Sequence, residues 1–208
     1  MIYTDQFIWL HFPKCAGTTL EILFQKNAHL IPNLHLDPVG VAQDSTIAWH
    51  DTILQRQQRD PSFKIAGRVI ICPFRKLTSW LASRYTFEVT RSPHLPHDRN
   101  LLLKGHVVEQ SGDINHADFY ARSYLPPDLI ANEKIRFIRT EFFENDFKTA
   151  FKDLIETKII YASDLKRKTN QGKTKILAET LSFVEENAAE IYENCPYWKS
   201  LEDKIYIN

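Results

Sequence analysis

The 208-residue chain carries no net charge: 26 basic side chains stand against 26 acidic ones. That balance excludes the broad basic face that nucleic acid or an anionic membrane surface requires, so any anion site must be assembled locally. Long apolar runs are also missing. None approaches the roughly 18 residues that would cross a bilayer, and no membrane segment is expected. The N-terminus has neither the basic stretch nor the apolar h-region of a secretory signal. Cysteine is scarce: Cys15, Cys72 and Cys195 stand far apart, odd in number and without metal-ligand spacing. They argue for reduced thiols rather than a disulfide framework, and for a soluble, cytoplasmic chain. No repeat, low-complexity tract or domain boundary stands out, so a single domain over 1–208 is expected.

What is present is enough apolar material for a substantial core, 43% of residues. Phe7 to Phe12 reads as a short buried strand bounded by Pro13. A helix starts near Thr18, with Leu20, Leu23 and Phe24 on one side. Thr46 to His50 reads as a further short strand. Lys64 to Ile71 is a second apolar run, ended by Pro73, and Leu77, Trp80, Leu81 and Tyr85 then form a helical stripe. Its opposite face gathers Arg75, Lys76, Ser79 and Ser83. Residues 90–115, with two prolines and two glycines, read as a long loop. Lys134 to Arg139 alternates like a strand, Phe143 to Leu154 is helical, and a last helix runs from about Lys175 to Tyr192. Strands alternating with helices predict an α/β fold: one P-loop-like domain whose central, mainly parallel sheet is flanked by helices.

Ligands of such sheets bind where strands end and helices begin. The stretch "IWLHFPKCAGTTL", residues 8–20, has that form. The N–H groups of a turn and first helical turn lack internal partners and make an anion site. Gly17 allows close approach of an anion, Lys14 adds a flexible positive charge, and Thr18 and Thr19 add hydroxyl donors. It is not a Walker A motif, because the lysine precedes the glycine. The second junction, "VIICPFRKLTSWLASRY" at 69–85, repeats the plan. Two such junctions fit a ligand with two separate anionic groups.

At these residues the chain resembles the sulfotransferase superfamily, and within it the carbohydrate (heparan/chondroitin-type) branch. "HFPKCAGTTL" (11–20) is similar to that branch's 5′-phosphosulfate loop. "CPFRKLTSWLASRY" (72–85) is similar to its 3′-phosphate segment, with Pro73 six residues before Ser79. "FIRTEFFENDFKTAFKDL" (137–154) resembles a later stretch in which a Glu follows a strand, and "KRKTNQ" (166–171) resembles a loop near the C-terminus carrying an Asn and basic residues. The similarity is patchy but in order from residue 8 to about 192, and 86–130 has no match. One position departs: where the family places an Arg eight residues before the 3′-segment Ser, this chain has Ile71. Arg75, one turn before Ser79, is the expected substitute; Arg68 and Lys76 are further candidates.

The resemblance implies 3′-phosphoadenosine 5′-phosphosulfate (PAPS) as donor and in-line sulfuryl transfer to an acceptor hydroxyl, on a carbohydrate or a small molecule. It assigns Lys14, Cys15, Ala16, Gly17, Thr18 and Thr19 to the phosphosulfate, Arg75 and Ser79 to the 3′-phosphate, and Lys168 and Asn170 to a closing loop. Charge developing on the leaving phosphate calls for Lys14 as a catalytic group. No metal is implied. His50 in "IAWHDT" is the favoured base, with Asp51 as a candidate to orient it and Glu88 as an alternative carboxylate. His11 reads as scaffold. His94, His97, His106 and His116 are candidates for the acceptor site, but solvated loop histidines are the simpler account. Trp9, Trp49, Trp80 and Trp198 are candidate adenine surfaces, though core is the simpler role for each. Two rivals remain: a P-loop nucleotide kinase or hydrolase, and a non-catalytic PAPS-binding module, which Ile71 favours.

Overall fold

A computed structural model describes residues 1–37, 48–155 and 175–206. The chain forms two compact units, each from two stretches: 1–74 with 127–169, and 75–126 with 170–208. It is an α/β protein with a five-stranded sheet, and all five strands belong to the first unit.

The sheet has the order β3-β1-β2-β4-β7, from β1 (Ile2–Tyr3), β2 (Phe7–Trp9), β3 (His35–Leu36), β4 (Val69–Phe74) and β7 (Ile135–Arg139). β2, β4 and β7 are parallel, with Trp9 opposite Ile71 and Ile71 opposite Arg136. β1 runs antiparallel to both β2 and β3, so the mainly parallel sheet expected is a mixed one. Burial on both faces explains the unbroken apolar runs of β2 and β4. On one face Phe7, Trp9, Ile71 and Ile138 pack against two helices, α1 (Gly17–Lys26) and α6 (Phe143–Phe151). Phe151 sits at the centre, its ring 5.2 Å from Phe7, 5.5 Å from Phe24 and 4.7 Å from Phe147. Each such ring contributes about 1.5–3 kcal/mol by leaving water. A short helix, α5 (Pro127–Asn132), precedes β7.

Pro73 lies inside β4 rather than ending it. Neighbouring residues of a parallel strand bond to opposite sides. Ile70 bonds toward β7 through Lys134, and Ile71 toward Leu10. Pro73 therefore faces the β2 side, beyond the last β2 bond, where its missing N–H leaves no gap. Residues 48–50 form a 3-10 turn, not the strand expected over 46–50.

In the second unit, α3 (Leu77–Arg91) buries Leu77, Trp80 and Leu81, as its stripe predicts. The segment expected as a long loop folds instead into a 3-10 turn (Arg99–Lys104) and a hairpin of β5 (His106–Val108) and β6 (Ile114–His116). Helix α4 (Ala117–Tyr124) follows the hairpin. Toward the C-terminus come α7 (Lys175–Glu186), α8 (Ala188–Asn194) and α9 (Pro196–Tyr206). The single helix expected over 175–192 breaks at Asn187, whose side chain donates to the Phe183 carbonyl at 2.8 Å. Asp118 of α4 accepts from the N–H groups of Tyr197 and Trp198, at 2.9 and 2.7 Å, and so caps α9. Glu202 of α9 accepts from Leu77 N–H at 2.9 Å and caps α3 in return. Trp80 and Trp198 meet at 4.7 Å, fully buried.

Asp146 staples α6 to the end of β7: its carboxylate accepts from Arg139 Nε at 2.7 Å, Nη2 at 2.9 Å and the Arg139 main-chain N–H at 2.9 Å. Burial pushes this carboxyl up, but the Arg139 bonds and charge outweigh it and hold it below the usual range. A depressed native pKa stabilises the fold above the unfolded value, near 3.9, and that stability is lost as pH falls through the native value. Asp146→Asn is expected to cost about 1–2 kcal/mol by urea denaturation at neutral pH. The gap between variant and parent should close as pH falls below about 4; a gap independent of pH would contradict the staple.

Candidate phosphate-binding turn and base

The candidate site in the first unit starts where β2 ends. The Leu10 N–H still reaches Ile71 O at 2.9 Å, and Phe12 and Cys15 then fold back with N–H bonds to Leu10 and Phe12 carbonyls. Two residues of this turn, Lys14 and Ala16, have φ of 63°, a left-handed conformation costing about 1 kcal/mol for a side-chain-bearing residue. Ala16 is the N-cap of α1 and offers no side-chain oxygen to the helix. The N–H groups of Gly17 and Thr18 have no acceptor within the helix. A left-handed residue followed by a helical one makes these N–H groups converge, a concavity suited to an anion.

Cys15 serves the turn differently from the sequence expectation. Its side chain is fully buried and its N–H is used on Phe12, so it closes the turn rather than facing a ligand. Thr19 N–H likewise bonds Ala16 O at 3.1 Å. Thr18 is exposed, and Lys14, Ala16 and Thr19 are half-buried. Gly17 has a reason of its own to be glycine. A β-carbon there would lie 1.7 Å from His11 Nε2, so the space an incoming anion was expected to use is partly filled by that ring.

His11 is buried, with Nδ1 2.8 Å from Glu21 Oε1 on α1, a close approach without the alignment of a hydrogen bond. Its ring centroid is 4.3 Å from that of His50. His50 Nδ1 lies 3.0 Å from the His11 carbonyl oxygen. Because a carbonyl only accepts, Nδ1 carries the hydrogen, and the neutral ring keeps its lone pair on Nε2, the tautomer a base requires. Trp49 is half-buried, its ring 5.9 Å from His50.

The chain after His50 is pinned firmly. Asp51 is buried and binds Arg59 at 3.0 and 3.1 Å, with Arg56 Nε at 3.4 Å. It therefore anchors helix α2 (Ile53–Arg59) and does not orient His50, as one expectation had it. Thr52 caps α2 in a reciprocal box with Gln55.

The remaining sequence candidates fall elsewhere. Ile71, at the family's arginine position, is fully buried in the sheet core. Arg75 and Ser79 belong to the second unit. α3 begins only at Leu77, so Arg75 precedes the helix instead of lying one helical turn before Ser79 on the same face. Its carbonyl accepts from Trp198 Nε1 at 3.2 Å. Glu88 is almost fully buried, 2.9 Å from Arg84. Trp9, Trp80 and Trp198 are core side chains rather than an adenine surface. Lys168 and Asn170 lie outside the described residues.

Two features of the second unit are also relevant to ligands. A cleft of about 410 Å³ is lined by Tyr85, His97, Arg99 and Glu179 among others, and Tyr85 donates its hydroxyl to His97 O at 3.0 Å. His116, Asp118 and Cys195 bring three potential metal-ligand atoms within 4.8 Å of one another. Their hydrogen bonds run against that use. His116 Nδ1 accepts the Asp118 N–H at 3.1 Å, which puts the neutral ring's proton on Nε2, facing Cys195 Sγ at 3.8 Å. Asp118 is engaged in capping α9, and burial pushes the Cys195 thiol up to about 12.

No protein-family model matches the chain, and no curated protein or solved structure matches it at a significant level.

The contact between Gly17 and His11 makes a direct prediction. Gly17→Ala should destabilise the protein by about 1–3 kcal/mol, because a β-carbon cannot share the ring's place. In a His11→Ala background the same change should cost nothing or stabilise, since alanine is the better helix former by about 0.5–1 kcal/mol. Equal costs in both backgrounds, measured by thermal or urea denaturation, would show that the ring is not there.

Proposed function

We propose that the protein is a sulfotransferase that moves a sulfuryl group from PAPS to an acceptor hydroxyl. The observation that carries this reading is the turn 13–17: two left-handed residues, an uncapped helix start at Gly17, and a histidine of base-ready tautomer joined to it through His11. The sequence resemblance selects a sulfuryl donor among the anions that such a turn suits.

The residues fit a 5′-phosphosulfate end. Gly17 and Thr18 N–H groups bind its phosphate oxygens, and Lys14 meets the charge that grows on the leaving phosphate. When bound, the donor supplies the sulfuryl group, whose bond to the 5′-phosphate oxygen breaks as the acceptor oxygen bonds to sulfur. His50 Nε2 takes the acceptor's proton. Holding the acceptor in line supplies much of the rate enhancement.

The burial of Ile71 in the core favours a second reading, a module that binds the nucleotide without transfer. A family position that clamps phosphate is here apolar.

Saturating adenosine 3′,5′-bisphosphate, at about 100 times its Kd and without Mg²⁺, should stabilise the protein by ~2.7 kcal/mol. For a chain of this size that raises Tm by about 5–11 °C. Lys14→Ala should lose the shift, while His50→Ala should keep it and lose transfer from PAPS. A shift with Mg-ATP alone would overturn the proposal. A shift with the bisphosphate but no transfer to any acceptor would establish the binding module instead.

A further inference from the structure

We propose that the second unit binds a free α-amino acid with an apolar side chain, in the cleft of about 410 Å³ bounded by α3, α7 and residues 97–99. That volume falls within the range of about 300–1,000 Å³ usual for small-molecule sites. Every lining residue belongs to this one unit. α3 and α7 pack along each other. Tyr85 and Val89 share a face of α3 through their i, i+4 spacing, and Ile176, Glu179 and Thr180 share a face of α7. Residues 97–99 form the third wall, tied down twice: Tyr85 donates its hydroxyl to the His97 carbonyl at 3.0 Å, and His97 Nε2 donates to the Ser92 carbonyl at 2.8 Å. The walls are in place before a ligand arrives, which lowers the cost of binding.

The cleft carries three charges that do not neutralise one another. Arg99 is stacked rather than ion-paired: its guanidinium carbon lies 4.7 Å from the centre of the Phe183 ring, and it makes no hydrogen bond or ion pair among the described residues. Phe183 stands one helical turn after Glu179 on α7, so the guanidinium is held beside the turn next to that carboxylate. Glu179 has one ion-pair partner among the described residues, Lys175 at 3.7 Å, and both side chains are more than half exposed. Such a pair contributes little and leaves the carboxylate available. Asp98 gives Oδ1 to the Asn100 N–H at 2.9 Å and keeps its other oxygen. Burial pushes the Tyr85 hydroxyl up, and Arg99 and Asp98 both act on it, in opposite senses, so both charges lie close to it.

One cation facing two carboxylates selects the ligand by charge. A simple anion would meet Arg99 but also Asp98 and Glu179, and a simple amine would meet the carboxylates but also Arg99. An apolar molecule would strip water from all three and return nothing. A zwitterion answers both signs. The carboxylate of an α-amino acid takes the planar fork of Arg99, where two parallel hydrogen bonds form. Its ammonium lies toward Glu179 and Asp98, and its side chain runs along Tyr85, Val89 and Ile176. Ile176 is among the exposed apolar side chains of the chain, and the ligand covers it. Thr180, whose hydroxyl is already donated to the Ile176 carbonyl at 2.7 Å, adds shape without charge. No covalent bond is made or broken.

Leucine is the probe, with three relatives that each lack one part of it: leucinamide has no carboxylate, N-acetylleucine no ammonium and glycine no apolar side chain. Binding to the full chain is measured by calorimetry at neutral pH and matched ionic strength. Leucine should bind, and each relative should bind more weakly by about tenfold or more. Arg99→Ala should weaken leucine by a similar factor and remove its advantage over leucinamide. Glu179→Gln should shrink its advantage over N-acetylleucine and leave that over leucinamide. Both side chains are exposed, so neither change threatens the fold, and the loss of one preference at a time is a result that general damage would not give. Absence of leucine binding at millimolar concentration overturns the proposal. So does a relative that binds as tightly as leucine, or a preference for leucine over leucinamide that survives Arg99→Ala.

Discussion

One contact governs the first unit's functional end: the His11 ring occupies the place a side chain at residue 17 would take. Helix α1 can start that close to the β2 exit only because residue 17 is glycine. The chain must turn sharply to get there, and it does so with Lys14 and Ala16 left-handed, at about 1 kcal/mol each. Glu21 comes from the next turn of the same helix and holds the ring from its other side. The His11 carbonyl fixes the tautomer of His50. Helix start, turn and the His50 ring are thus set by one histidine.

In a chain with no net charge, the proposed anion site rests on local geometry. Main-chain N–H groups at a helix start supply partial positive charge that requires no excess of basic residues. The arginines near His50 serve a different purpose: Arg56 and Arg59 are committed to Asp37 and Asp51, fastening α2 and the segment that leads from His50. These pairs fix where the chain goes after His50. They do not advertise a ligand.

The buried strands were legible because complete burial leaves an unbroken apolar signature, as in β2 and β4, while β7 showed the alternation of a half-buried one. Their limits were less so. Pro73 reads as a stop, but its place in the ladder depends on where β2 ends, which a single strand's sequence does not encode. Residues 90–115 looked like a loop because glycines and prolines mark turns without saying what lies between them. Lys14, Ala16 and Gly17 were legible as a strand-to-helix turn. The His11–Glu21 pair was not, since strand and helix periods describe each element separately and not which side chains meet across a turn. A signal was available: Glu21 interrupts the inward stripe of Leu20, Leu23 and Phe24, and a buried acid needs a partner. The expected Arg75–Ser79 face failed for a local reason, because the helix begins after Arg75.

The central claim is that the turn 13–17 grips the 5′-phosphate of a nucleotide. A crystal structure with adenosine 3′,5′-bisphosphate tests it most directly. The account predicts 5′-phosphate oxygens within about 3 Å of the Gly17 and Thr18 N–H groups. A nucleotide bound with its 5′-phosphate away from this turn would contradict it.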